Sequence, residues 1–137
     1  MTKMSVDYEG DLHCIITHGP SGQILTTDAP IDNMGKGETF SPTDLLAASL
    51  ASCIATTIAI YADRKGWNLR GMKLEIEKEM RSAPDRRIGR LPIKIWMPIH
   101  LSAEEQAAVE RIARTCPVHK SLIPDIEIPL TFYWKSS

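Results

Sequence analysis

Apolar residues recur along this chain with two different periods, and the switches between them mark its elements. Met4–Tyr8 and Leu12–Thr17 predict short strands flanking a Glu9-Gly10 turn, and Gly19-Pro20-Ser21-Gly22 predicts the next turn. Gln23–Thr27 predicts a third strand. A loop from Asp28 to Phe40 follows, with Pro30, Asn33, Gly35 and Gly37, long enough to suggest a role at a site. Ser41-Pro42-Thr43-Asp44 then opens a helix: serine caps, proline fits the first turn, and aspartate suits the positive end. That helix should run to about Lys65 and stop at Gly66.

The period returns to two at Met72, Leu74 and Ile76, and again at Leu91, Ile93, Ile95, Met97, Ile99 and Leu101. Pro92 and Pro98 lie on the opposite face of this second strand, which predicts an edge or a bulge. Between the two strands, Arg81 to Arg90 with Pro84-Asp85 and Gly89 predicts a solvated hairpin tip. Ser102-Ala103-Glu104-Glu105 is a capping box for a helix to about Arg114. Thr115-Cys116-Pro117 restarts a short helix that ends before Pro124. Ile126, Ile128, Leu130, Phe132 and Trp134 alternate in a closing strand. The order of elements gives an α+β fold in a single domain over residues 1–137.

The first helix carries an assembly expectation. From Leu45 to Ala62 it is apolar on most sides, so it should be buried on most sides. Six strands from one small chain cover such a helix poorly. Ala47, Ala48, Ala51, Ala55 and Ala59 would let a second backbone approach, so a homodimer is predicted. One stripe differs: Ser49, Ser52, Cys53, Thr56 and Thr57 follow helical spacing and place a thiol among hydroxyls.

Composition narrows the function classes. The net charge of −1 and the scattered basic residues give no footprint for nucleic acid. The N-terminus has no apolar run of a secretory signal. The apolar stretch Leu45–Ile60 is shorter than the ~18–20 residues that span a bilayer, so no membrane partner is expected. Three cysteines form no disulfide framework, which fits a cytoplasmic, thiol-preserving location.

Two of those thiols stand in positions that suggest chemistry. Cys53 lies mid-helix in its hydroxyl stripe, and Cys116 lies at a helix start three residues before His119. A thiol reacts as thiolate, and a helix start beside an imidazolium favours that form. The plainer readings are a small core residue for Cys53, a passive cap for Cys116 and a packing or capping histidine for His119. Likewise, the hydroxyls of the stripe can bond back to their own helix carbonyls. Cys14, between Leu12 and Ile16, is expected to face the core. His13, Cys14, His18, Cys116 and His119 match no standard zinc spacing, so no metal is expected.

At Ser41-Pro-Thr-Asp-Leu-Leu-Ala-Ala-Ser-Leu-Ala-Ser-Cys53 and at Cys116-Pro-Val-His-Lys-Ser-Leu122 the chain resembles the OsmC/Ohr family, the osmotically inducible and organic hydroperoxide resistance proteins. The resemblance implies an OsmC-like fold, antiparallel sheets wrapped around long central helices in an intertwined homodimer. It places the active sites at the subunit interface, with the two sulfurs meeting across a subunit boundary. It implies a thiol-dependent peroxidase in which Cys53 attacks an organic hydroperoxide and Cys116 resolves the sulfenic acid as a disulfide. It further implies no bound cofactor and an external dithiol reductant, lipoyl-type in relatives. The chain departs from the family pattern in its thiolate partners, an N-terminal arginine and a glutamate ten residues before the cysteine. Thr43 occupies the latter position, and the first arginine is Arg64. Asp44 and Glu38 are the acidic candidates nearby. The alternative is an OsmC-like homodimer that binds a small apolar or electrophilic molecule without efficient turnover.

Overall fold

A computed structural model describes all residues, Met1–Ser137. The chain forms two compact units, Met1–Leu46 and Ala47–Ser137.

In the first unit, β1 (Met4–Gly10), β2 (His13–His18) and β3 (Ile24–Asp28) form an antiparallel meander in that order. Gly10, Asp11 and Leu12 all have positive φ, and the tight β1–β2 turn they make shifts the register between Tyr8 and Gly10. β1 and part of β3 are solvent-facing: Met4, Val6, Tyr8, Ile24 and Leu25 are each more than half exposed. The loop that follows contains a single 3-10 turn, Ile31–Asn33. Gly35 is obligatory there, because a Cβ would lie 1.6 Å from the Ala29 carbonyl oxygen. Asp28 ties the loop closed. Its N–H donates to the Phe40 carbonyl at 3.0 Å, and its Oδ2 accepts from the Glu38 N–H at 3.1 Å.

Helix α1 (Pro42–Arg64) begins where the motif predicted. Ser41 Oγ accepts from the Asp44 N–H, and Asp44 Oδ2 accepts from the Ser41 N–H, both at 3.0 Å. This reciprocal pair satisfies two donors that a bare helix start leaves orphaned. Gly66, at φ +74°, ends the helix in the left-handed region. The helix is 23 residues long, and its length and hydropathy would suffice to cross a bilayer. Ala47, Leu50, Ile54, Ile58 and Ala62 are its buried residues. They form one helical face. The expected burial on most sides is therefore not achieved within one chain: Ala48, Ala51, Ala55 and Ala59 are half-buried and Ile60 is 52% exposed.

The second unit holds β4 (Lys73–Ile76), β5 (Glu79–Arg81), β6 (Arg87–Arg90) and β7 (Ile93–His100), then α2 (Ala103–Ala113), α3 (Pro117–Leu122) and β8 (Leu130–Lys135). The predicted hairpin tip lies between β5 and β6, which pair antiparallel as an extra two-stranded sheet. The main sheet has the order β4-β7-β8. β7 is thus central and not an edge. It tolerates its prolines because Pro92 precedes the strand and Pro98 lies beyond the Ile93–Trp96 stretch that pairs with β4. On the β8 side the register shifts between Trp96 and His100, the irregularity that Pro98 predicted. β7 and β8 run parallel, whereas the other paired strands are antiparallel. Parallel neighbours require a long crossover, and the α2–α3 segment supplies it. Leu91, Ile93, Ile95 and Val109 are completely or almost completely buried in this unit.

Candidate active site

The crossover that makes β7 and β8 parallel also returns Cys116 to α1, and there it meets Cys53. The two thiols lie near enough for Cys53 to raise the Cys116 pKa. Cys53 is half-buried midway along α1, whereas Cys116 is fully buried, and both are free thiols. The sulfurs therefore meet within one chain and not across a subunit boundary, contrary to the sequence-based expectation. Topology decides this, since the return to α1 lies within the β7-to-β8 connection of the same subunit.

Cys116 is the N-cap of α3, and its Sγ accepts from the His119 N–H at 3.3 Å. Pro117 follows as the first helical residue and fixes the chain direction there. Burial pushes the Cys116 thiol above its ordinary 9.0, and the hydrogen bond with Cys53 adds to this; backbone donors from His119 and Val118 only partly oppose it. Cys116 is therefore held protonated, the reverse of the thiolate that its helix start suggested. His119 gives it no imidazolium either. The side chain is 6% exposed, and burial, followed by the Arg114 charge, lowers its pKa from 6.5. Its buried Nδ1 has no hydrogen-bond partner.

Both acidic candidates belong to the first unit. Asp44 is committed to the Ser41 cap, and nine residues of helix rise separate it from Cys53, about 13 Å along the axis. Glu38 belongs to the loop of the first unit, where it lines a cavity of about 290 Å³ with Glu9, Asp11, His13, Lys36 and Asp28. In the hydroxyl stripe, Thr56 Oγ1 donates to the Ser52 carbonyl at 2.8 Å, the back-bonding alternative. Cys14 is half-buried on β2, opposite Tyr8 and Thr27, so it is less enclosed than its alternation suggested.

Sequence reasoning missed the His13–Asp28 pair. His13 Nδ1 lies 2.5 Å from Asp28 Oδ1, and this bond is the main reason the Asp28 carboxyl sits below its ordinary 3.8. The signal was present in the register: the two residues are directly opposed on β2 and β3. No group of three or more His, Cys, Asp or Glu side chains is arranged to hold a metal ion.

A buried cap cysteine near a half-buried helix cysteine, on this two-unit α+β scaffold, makes the pair the candidate site of a thiol-bearing α+β protein. The chain belongs to the OsmC-like protein family, whose pattern matches residues 35–131. A protein of Psychrobacter arcticus 273-4, named provisionally as an osmotic stress induced and detoxification response protein, is 43% identical. It superposes with a TM-score of 0.91 over 97% of this chain and 96% of its own. The fold is shared with the organic hydroperoxide resistance protein OsmC, a predicted redox protein, of Legionella pneumophila (TM-score 0.79, 17% identity, 96% of each chain). It is shared also with the organic hydroperoxide resistance protein OhrB of Bacillus subtilis (TM-score 0.73, 17% identity, 97% and 98% covered). No curated protein sequence matches the chain.

Proposed function

We propose that this protein reduces organic hydroperoxides with Cys53 as the attacking thiolate and Cys116 as the resolving thiol. The proximity of the two thiols, felt as the upward push of Cys53 on the Cys116 pKa, supports this reading above all else. Cys53 is half-buried while Cys116 is fully buried, which fits the first as the attacking thiol and the second as the resolving one. Cys53 thiolate attacks the terminal oxygen of ROOH; the O–O bond breaks, RO⁻ takes a proton and leaves as ROH, and Cys53 becomes a sulfenic acid. Cys116 then forms the disulfide and water departs. An external dithiol, of the lipoyl type by family likeness, exchanges with the disulfide and restores both thiols. No bound cofactor takes part in these steps.

Assembly belongs to the same proposal. The faces of α1 left half-buried, Ile60, and the exposed apolar residues of β1 and β3 fit a homodimer in which a second copy covers them. Three free thiols fit a reducing, cytoplasmic setting.

Turnover of cumene hydroperoxide with dihydrolipoamide tests the mechanism. The Cys53→Ser variant should lose at least roughly a thousand-fold of the activity, the scale of removing an activated nucleophile. Full activity in that variant would eliminate the proposal. The second reading, small-molecule binding without efficient turnover, is favoured by one observation: no arginine precedes Arg64. It would show as saturable ligand binding with no hydroperoxide consumed.

A further inference from the structure

We infer that the groove between the end of α1 and helix α2 is a second binding site, fitted to a flat aromatic carboxylate. It is a cavity of about 520 Å³, within the range of small-molecule sites. Its lining comes wholly from the second unit and includes neither cysteine of the candidate active site. Tyr61, the α1 residue that lines it, stands eight residues beyond Cys53, about 12 Å along the helix axis. Binding there is independent of the peroxidase reading.

Two walls of different chemistry make the groove. On one side Glu104, Ala107, Ala108 and Arg111 of α2 follow i, i+3, i+4, i+7 spacing and share one helical face. The two alanines leave room at the middle of that face, where longer side chains would fill it. On the other side the Tyr61 and Trp67 rings stand 5.9 Å apart at 73° and form a corner. A flat ring fits such a corner by stacking on one ring and meeting the edge of the other. Lys65 Nζ lies over the Tyr61 ring, 5.6 Å from its centroid, and brings a cation to the same wall.

Charge then sets the orientation of the ligand. Arg111 makes no ion pair, and its planar fork suits a carboxylate held by two parallel N–H donors. Lys65 adds a second cation. The Glu105 carboxylate is turned to the helix start, where its Oε1 accepts from the Ser102 N–H at 2.9 Å. Glu104 lies two helical turns from Arg111, about 10 Å along the axis, and disfavours negative charge at that end. The fitting ligand is an aromatic ring with one carboxylate, its acid toward Arg111 and its ring over the alanines.

Titration of the isotope-labelled full chain with 2-naphthoate, followed by NMR, tests this site. Saturable shifts should appear at the Trp67 indole N–H and at the Ala107 and Ala108 amides, with a dissociation constant of about 1 mM or tighter. The neutral 2-naphthylmethanol should bind roughly ten-fold more weakly, having lost the charge-assisted bonds to Arg111. Arg111→Ala should weaken 2-naphthoate binding by a similar roughly ten-fold factor. Ala107→Leu, which fills the groove, should weaken it at least roughly five-fold. Both substituted residues are exposed, and the remaining amide signals report that each variant is folded. Cys53→Ser should leave the binding unchanged, whatever it does to hydroperoxide turnover. No saturable shift, or unchanged affinity in either α2 variant, would overturn the inference. So would shifts centred on the Cys53 and Cys116 amides, which would put the acid at the thiols instead.

Discussion

Burial changes what individual side chains of this protein can do, most clearly at Cys116 and His119. In solution a cysteine at a helix start beside a histidine would gain acidity; here both are enclosed, so both are held neutral. His119 has a measurable consequence. Its folded pKa lies below 6.5, so between that folded value and 6.5 the unfolded chain binds more protons than the folded one. Stability must then fall as pH falls below about 6.5. Urea unfolding at pH 7 and pH 5 should show a loss for the parent and a smaller loss for His119→Gln. Equal losses would mean that His119 is not the group being charged. Asp28 behaves oppositely to Cys116: hydrogen bonding with His13 depresses its pKa, so its contribution persists above 3.8 and disappears only as pH drops through the lower folded value. The His13–Asp28 pair was illegible in the sequence because a register, and not a spacing, puts the two residues opposite each other.

At the level of elements, caps and breakers govern the boundaries. Ser102 accepts from the Glu105 N–H at 3.2 Å and Glu105 Oε1 accepts from the Ser102 N–H at 2.9 Å, the full reciprocal box. Ser102→Ala should destabilise the protein by about 1 kcal/mol in urea titration, with the slope unchanged. A change near zero would show that α2 draws its stability from Val109 and Ala113 packing instead. Capping signals were readable because they are local: four residues carry both partners. Strand partners were not readable in this way. The alternation at Ile93, Ile95 and Met97 announced a half-buried strand, but the parallel alignment of β8 depends on a crossover of some thirty residues. The closing strand is also shorter than its alternation implied, since Glu127 makes only an isolated bridge to Arg90 before β8 begins at Leu130.

For the whole molecule, the decisive quantity is the apolar surface that one copy leaves uncovered. α1 buries a single face, and the apolar residues of β1 and β3 are turned to solvent. Ile60→Asp should weaken a dimer that covers this helix, giving at least roughly ten-fold weaker self-association by analytical ultracentrifugation. A parent protein that stays monomeric at micromolar concentration would remove the assembly proposal altogether. The sequence alone determined the α+β class, the long helix with its Ser41 start and Gly66 stop, and the two cysteines worth watching. Those follow from periodicity, caps and residue chemistry, which act over a few residues. Tertiary structure alone decided that the two thiols lie near each other inside one chain, that the second is fully buried with its pKa pushed up, and that burial lowers the pKa of the histidine beside it. Each depends on which segments the crossover brings to the same place and how far they exclude water, and no local pattern encodes that.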